Sequence, residues 1–273
     1  MKTKNLLPFL LALVVLTSCK KDQEEEELDI YPARDMALIN GAYSDAFSMV
    51  DRVGKSEPGL RDNYGLPECA TVIFQDTLQF PYSVTIDFGT DNCVDDYGIN
   101  RRGKIHFSIT GPYQDEGTVV STSLEDYYVM DHHLQGSRTV TNLGENDEEN
   151  IHFSVVEEGV SLTSPNNEWT AYWESNRNRE WIEGRDSWWW WLDDVYTVSG
   201  DASGITRNGV PYTINITNPL KWRIGCPWVY QGSLDILPEE SDVLTLNYGD
   251  TGDDCDNSAV VTVNGNDYTI SLQ

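Results

Sequence analysis

Residues 34–53 set Met36, Ile39, Tyr43, Ala46, Phe47, Val50 and Val53 at spacings of three and four, the period of an amphipathic helix. Gly54 is a stop signal, so the pattern predicts a helix at 34–55, lying as a lid on the sheet that follows, with Gly41 as its weak point. From Cys69 onward the period drops to two. Short alternating runs broken by Gly, Asn, Asp and Pro predict strands at Thr71–Phe74, Val84–Phe88, Lys104–Thr110, Thr118–Ser123, Leu134–Thr141, Ile151–Glu157, Trp169–Trp173, Asp194–Ser199, Tyr212–Thr217, Trp228–Gly232, Val243–Tyr248, Ala259–Val263 and Tyr268–Leu272. Closely connected strands with no helical pattern between them predict an all-β, antiparallel domain over 69–273, built as a meander, a sandwich-like pair of sheets or an elongated solenoid-like stack.

The first residues follow neither period. Lys2 and Lys4 precede an apolar run from Leu6 to Leu16, broken only by Pro8, of signal-peptide length and too short to span a bilayer. Leu16-Thr17-Ser18-Cys19 resembles the lipobox of bacterial lipoproteins. The resemblance implies removal of the signal peptide 1–18, a diacylglycerol on the Cys19 thiol and acylation of its new amino group, with chains such as palmitate. At about 0.8 kcal/mol per buried CH₂, two or three chains anchor durably in membrane lipid where one does not. Residues 19–33 then form an acidic tether, in which six acids between Asp22 and Asp29 repel one another. Lys20-Lys21 followed by acids is similar to the export tag of Bacteroidota lipoproteins, and Lys20 stands where other Gram-negative bacteria place a retention Asp. The expectation is an outer-membrane protein facing the cell exterior.

Four cysteines remain, and an oxidising envelope favours pairing them. Two segments share one plan. Cys69, a strand, a turn and Ile86-Asp87-Phe88-Gly89 lead to Cys93; Cys226, a strand, a turn and Leu246-Asn247-Tyr248-Gly249 lead to Cys255. Residues just outside paired strands meet at the open end of a hairpin, so of three possible pairings this predicts Cys69–Cys93 and Cys226–Cys255. These blocks, with Gly103-Lys104-Ile105 and Cys255-Asp256-Asn257, resemble a group of uncharacterised Bacteroidota lipoproteins over most of 34–273. The resemblance implies architecture and no activity.

The chain of 273 residues carries 18 Lys+Arg against 45 Asp+Glu, a formal charge of −27. Loss of Lys2 and Lys4 with the signal makes it −29, and a surface this acidic excludes a nucleic-acid partner. Seven of nine tryptophans fall between Trp169 and Trp191. Extended backbone at 188–191 would put Trp188 and Trp190 on one face and Trp189 and Trp191 on the other, so one pair escapes a single core. With Trp169 and Trp173 they form a candidate contact for glycans or envelope proteins. Glu168, Glu174, Glu180, Glu183, Asp186, Asp193 and Asp194 surround them, yet an acidic chain makes such carboxylate pairs by chance. Asp91, Asp95, Asp253 and Asp256, in the turns around Cys93 and Cys255, are candidate Ca²⁺ ligands that equally suit turn chemistry. His106 and His152 occupy matching Ile-His-Phe-Ser strands, facing away from the Ile and Phe, and Asp76-Thr77-Leu78 resembles a Bacteroidota O-glycosylation acceptor. No catalytic constellation is recognisable. The leading expectation is a non-catalytic structural or binding lipoprotein, and the alternative a glycan-binding or glycan-degrading accessory protein.

Overall fold

A computed structural model describes residues 30–55, 64–75, 79–187, 191–226, 228–239, 241–249 and 255–272. Cys19, the signal peptide and nearly all of the tether lie outside these residues, as do Trp188, Trp189, Trp190, Asp253 and Asp76-Thr77-Leu78. Helix α1 spans Tyr31–Gly54, with Pro32 in its first turn, where a missing N–H costs nothing. Fourteen strands follow: β1 Thr71–Gln75, β2 Tyr82–Asp87, β3 Cys93–Val94, β4 Asn100–Ile109, β5 Val119–Val129, β6 His132–Glu145, β7 Ile151–Thr163, β8 Thr170–Glu183, β9 Val195–Ile205, β10 Pro211–Arg223, β11 Gln231–Pro238, β12 Leu244–Asn247, β13 Ser258–Val263 and β14 Asn266–Ser271. They make one antiparallel meander in chain order, except that β3 pairs only with β4. Of the three architectures compatible with the strand pattern, the molecule adopts the meander.

The helix is not a lid. A helix on a flat sheet buries one stripe, whereas in α1 only Tyr31 and Arg34 are exposed and sixteen residues are buried. One sheet covers it on nearly all sides, and α1 packs against strands as far apart in that sheet as β4, β8 and β11. The sheet therefore curls around the helix, which fills its concave side. Ile105, Phe107, Ile151, Phe153 and Val155 point inward onto it, and the His and Ser alternating with them point out.

Glycine-centred bulges let the strands bend. At Gly136, between Gln135 and Ser137 where the β6–β7 register shifts, φ is +127° and a Cβ would stand 2.7 Å from Tyr43 Oη and 2.9 Å from Val160 Cα. Gly232 in β11, at φ +108°, would meet the Pro219 carbonyl oxygen at 2.5 Å. This corrects the strand expected at Trp228–Gly232: the glycine is a bulge near the start of β11, so the strand runs from Gln231 to Pro238. The same reasoning carries β4 back across Gly103, β7 across Gly159 and β9 across Gly200, each longer than its alternating run.

Three acids of α1 and the lysine that follows it set the helix's seat in the sheet. Asp35 accepts the Arg207 backbone N–H at 2.7 Å, and Asp45 binds Arg101 of β4, which also holds Asp95 at 2.9 Å. Asp51 binds Arg179 of β8, and Lys55, just past the helix, binds Asp194 at 2.5 Å. Both expected disulfides are present, Cys69–Cys93 and Cys226–Cys255, and they tie segments at the two ends of the sheet. The two blocks fold alike at Asp87-Phe88-Gly89 and Asn247-Tyr248-Gly249. Asp87 Oδ1 accepts the Gly89 N–H at 2.8 Å and Asn247 Oδ1 the Gly249 N–H at 2.7 Å, while Phe88 and Tyr248 donate to the bulge glycines 103 and 232.

Candidate functional site: an arginine-lined cavity inside the sheet

Alternation along three adjacent strands sends charges inward where apolar residues are expected. In β7, Ile151, Phe153, Val155 and Glu157 share the inner face; in β8 it is Ala171, Trp173, Ser175, Arg177, Arg179 and Trp181; in β6, Leu134, Arg138 and Val140. Register aligns them, with Arg138 opposite Glu157 and Glu157 opposite Ser175. The helix completes the site from above with Asn40, Ser44, Ser48 and Asp51, a polar stripe repeating about every four residues.

Glu157 is fully partnered. It accepts from Trp173 Nε1 at 2.8 Å, Ser175 Oγ at 2.6 Å and Arg177 Nη2 at 2.7 Å. Burial pushes its pKa up, but Arg177 first, then Arg138 and the two neutral donors, outweigh that and hold it below the usual carboxylate range. Asp51 accepts from Tyr113 Oη at 2.9 Å and from Arg179; burial again opposes ionisation, and Arg179, Arg138 and Lys55 overcome it. Arg177 also donates to Asn40 Oδ1 at 3.1 Å.

Arg138 is different. Its side chain is only 10% exposed, its Nε has no hydrogen-bond partner, and its nearest carboxylate oxygen, on Glu157, is 3.8 Å from that Nε. The guanidinium lies over the Phe47 ring at 4.5 Å, and among the described residues it donates no hydrogen bond. Burial lowers its pKa without taking it out of the cationic range. Nε of Arg177 and of Arg179 is also without a partner. These groups border a cavity of about 60 Å³, whose apolar side is Val155, Leu220 and the half-buried Val198, Trp222 and Val229. A groove of about 700 Å³ shares Ser44, Ser48 and Trp222 with it and runs between Arg101 and the Cys226 turn.

The residues singled out by sequence lie elsewhere. Trp173 is a core residue donating to Glu157, and Trp169 is half-buried beside Arg207, whose guanidinium lies 4.2 Å from its ring, and His132. Trp191 opens a short 3₁₀ turn rather than extended strand. Asp95 accepts the N–H groups of Tyr97 and Ile99, each at 2.9 Å, as well as Arg101; Asp256 accepts both N–H and Oγ–H of Ser258; Asp91 is exposed. Among the described residues no three His, Cys, Asp or Glu side chains are placed to share a metal ion. His106 and His152 do not meet, because β5 and β6 separate their strands; His106 bonds Thr85 and Glu125, and His152 bonds the Gly144 carbonyl.

Sequence reading missed Arg138, Arg177, Arg179, Glu157 and Asp51. The available signal was a pair of arginines two residues apart between Trp173 and Trp181, in step with the inward positions of a strand. Compared with protein families, curated proteins and solved structures, the chain matches none of them.

Proposed function

We propose that this chain is a lipid-anchored outer-membrane lipoprotein, displayed on the cell exterior, whose β-domain binds a ligand without transforming it. The observation that carries the binding role is Arg138: a buried guanidinium, without hydrogen bonds, bordering a cavity. Glu157, 3.8 Å away, balances its charge without accepting its protons; leaving such buried donors unmade costs about 1–3 kcal/mol, and a bound group that accepts them removes that cost. Absence of turnover is supported by the two cavity acids. Both are held ionised and have their oxygens occupied by donors, so neither is poised to exchange a proton near neutral pH.

The address rests on Lys2, Lys4, the apolar run, the lipobox ending in Cys19 and the acidic tether, together similar to Bacteroidota lipoproteins. Two measurements test it. Cys19→Ala abolishes incorporation of labelled palmitate and releases the chain from the membrane; protease added to intact cells removes the domain. Survival of the chain until the cells are permeabilised would place it on the periplasmic side.

A second reading, glycan contact, is supported by Trp169 in a cleft of about 440 Å³ with Arg34, His132 and Arg207. There Trp169→Ala weakens capture on a glycan array without changing the melting temperature by more than a few degrees.

A further inference from the structure

The charge inside the cavity points to a class of ligand. Arg138, Arg177 and Arg179 bring three positive charges and Asp51 and Glu157 two negative ones, leaving the cavity one positive charge in excess. Lys55 and Asp194 beside it are paired and add nothing to that count. We infer that the cavity holds the carboxylate of a small organic monoanion, with Arg138 as its principal donor. This rests on the binding role proposed above and names the group bound.

Three observations converge on a single negative charge with a planar acceptor face. Arg138 is the one of the three arginines with no hydrogen-bonded carboxylate, Glu157 standing 3.8 Å off, and a guanidinium fork matches carboxylate oxygens two by two. One added negative charge neutralises the cavity, whereas a dianion such as sulfate or hydrogen phosphate overshoots into a low-dielectric interior already holding two carboxylates. About 60 Å³ limits the ligand to a small one, and the wall of Leu220, Trp222 and Val229 suits a short alkyl group beside the carboxylate. Ser44 supplies a hydroxyl on the helix side, where the cavity and the groove share lining residues.

The test is calorimetric titration of the purified full chain at pH 7 with butyrate, its neutral analogue butyramide, inorganic phosphate and a neutral disaccharide. Butyrate binds one to one, butyramide at least tenfold more weakly, and phosphate more weakly than butyrate. Arg138→Gln weakens butyrate at least tenfold. Should that variant fail to fold, Ser44→Trp, which fills the cavity from the half-buried face of α1, abolishes butyrate binding by the same readout. Equal binding of butyrate and butyramide, or phosphate binding the tighter, overturns the monocarboxylate. Binding of the disaccharide alone overturns it while leaving a binding role standing. No binding by any of the four removes both.

Discussion

At the scale of single residues, the interior holds two kinds of arginine, and mutation separates them. Arg179 is bonded to Asp51 and Tyr113, so Arg179→Leu leaves a buried carboxylate unpaired and lowers unfolding stability by about 3–5 kcal/mol. Arg138 donates no hydrogen bond, and Arg138→Gln loses its contact with Phe47 and its charge support of Glu157 and Asp51 while relieving its own burial, a net loss of about 1 kcal/mol. Denaturant unfolding of the two variants compares them directly; equal losses would mean that Arg138 is a structural residue. Gly136→Ala addresses the bulges. Its methyl group would stand 2.7 Å from Tyr43 Oη at a φ of +127°, and strain plus overpacking predict a loss of about 2–4 kcal/mol. A loss under about 0.5 kcal/mol would show that β6 bends without that glycine.

At the scale of elements, α1 and the sheet depend on one another. The helix has apolar residues on most of its circumference, and the sheet's inward Arg101 and Arg179 find their counter-ions on it at Asp45 and Asp51, as Arg207 of the β9–β10 turn does at Asp35. A chain lacking 30–55 therefore exposes both a concave apolar face and unpaired arginines, and is expected to be protease-sensitive and to bind hydrophobic dyes where the full chain is resistant. The disulfides act independently of the helix, at the ends of the sheet. They close loops with sequence separations of 24 and 29, and replacing either pair by Ser lowers stability by about 3 kcal/mol through the unfolded chain's entropy. Thermal unfolding of each double variant, with the other bridge intact, measures the two contributions separately.

At the scale of the molecule, charge is sorted: the exterior carries the acidic excess and the cavity a small cationic one. Asp51 and Glu157 have folded-state pKa values depressed by their arginines, so their ion pairs add stability that is fully present above the unfolded-state values near 4 and is lost as pH falls through the folded ones. Asp194 is shifted the other way, raised by burial against the pull of Lys55, and opposes that trend as acid is added. The net expectation is a steep loss of stability below about pH 4, read by near-ultraviolet circular dichroism, and a shallower loss in Arg179→Leu; an unchanged slope in the variant would remove Asp51 from the acid transition. The sequence by itself determined the class of the fold, the existence of α1, both disulfides and the alternation that puts Ile105, Phe107, Ile151 and Phe153 inside, because each follows from local period and chain proximity. It misplaced strand ends at Gly159, Gly200 and Gly232, since a glycine that stops a strand and one that bulges it look alike until the neighbouring strand is known. The tertiary structure alone decided that the helix is a core rather than a lid, and that Arg138, Arg177 and Arg179 meet Glu157 and Asp51. Those residues are distant along the chain, and a charge reads as solvent-facing in sequence; only curling the sheet around the helix brings the partners near enough to bury them together.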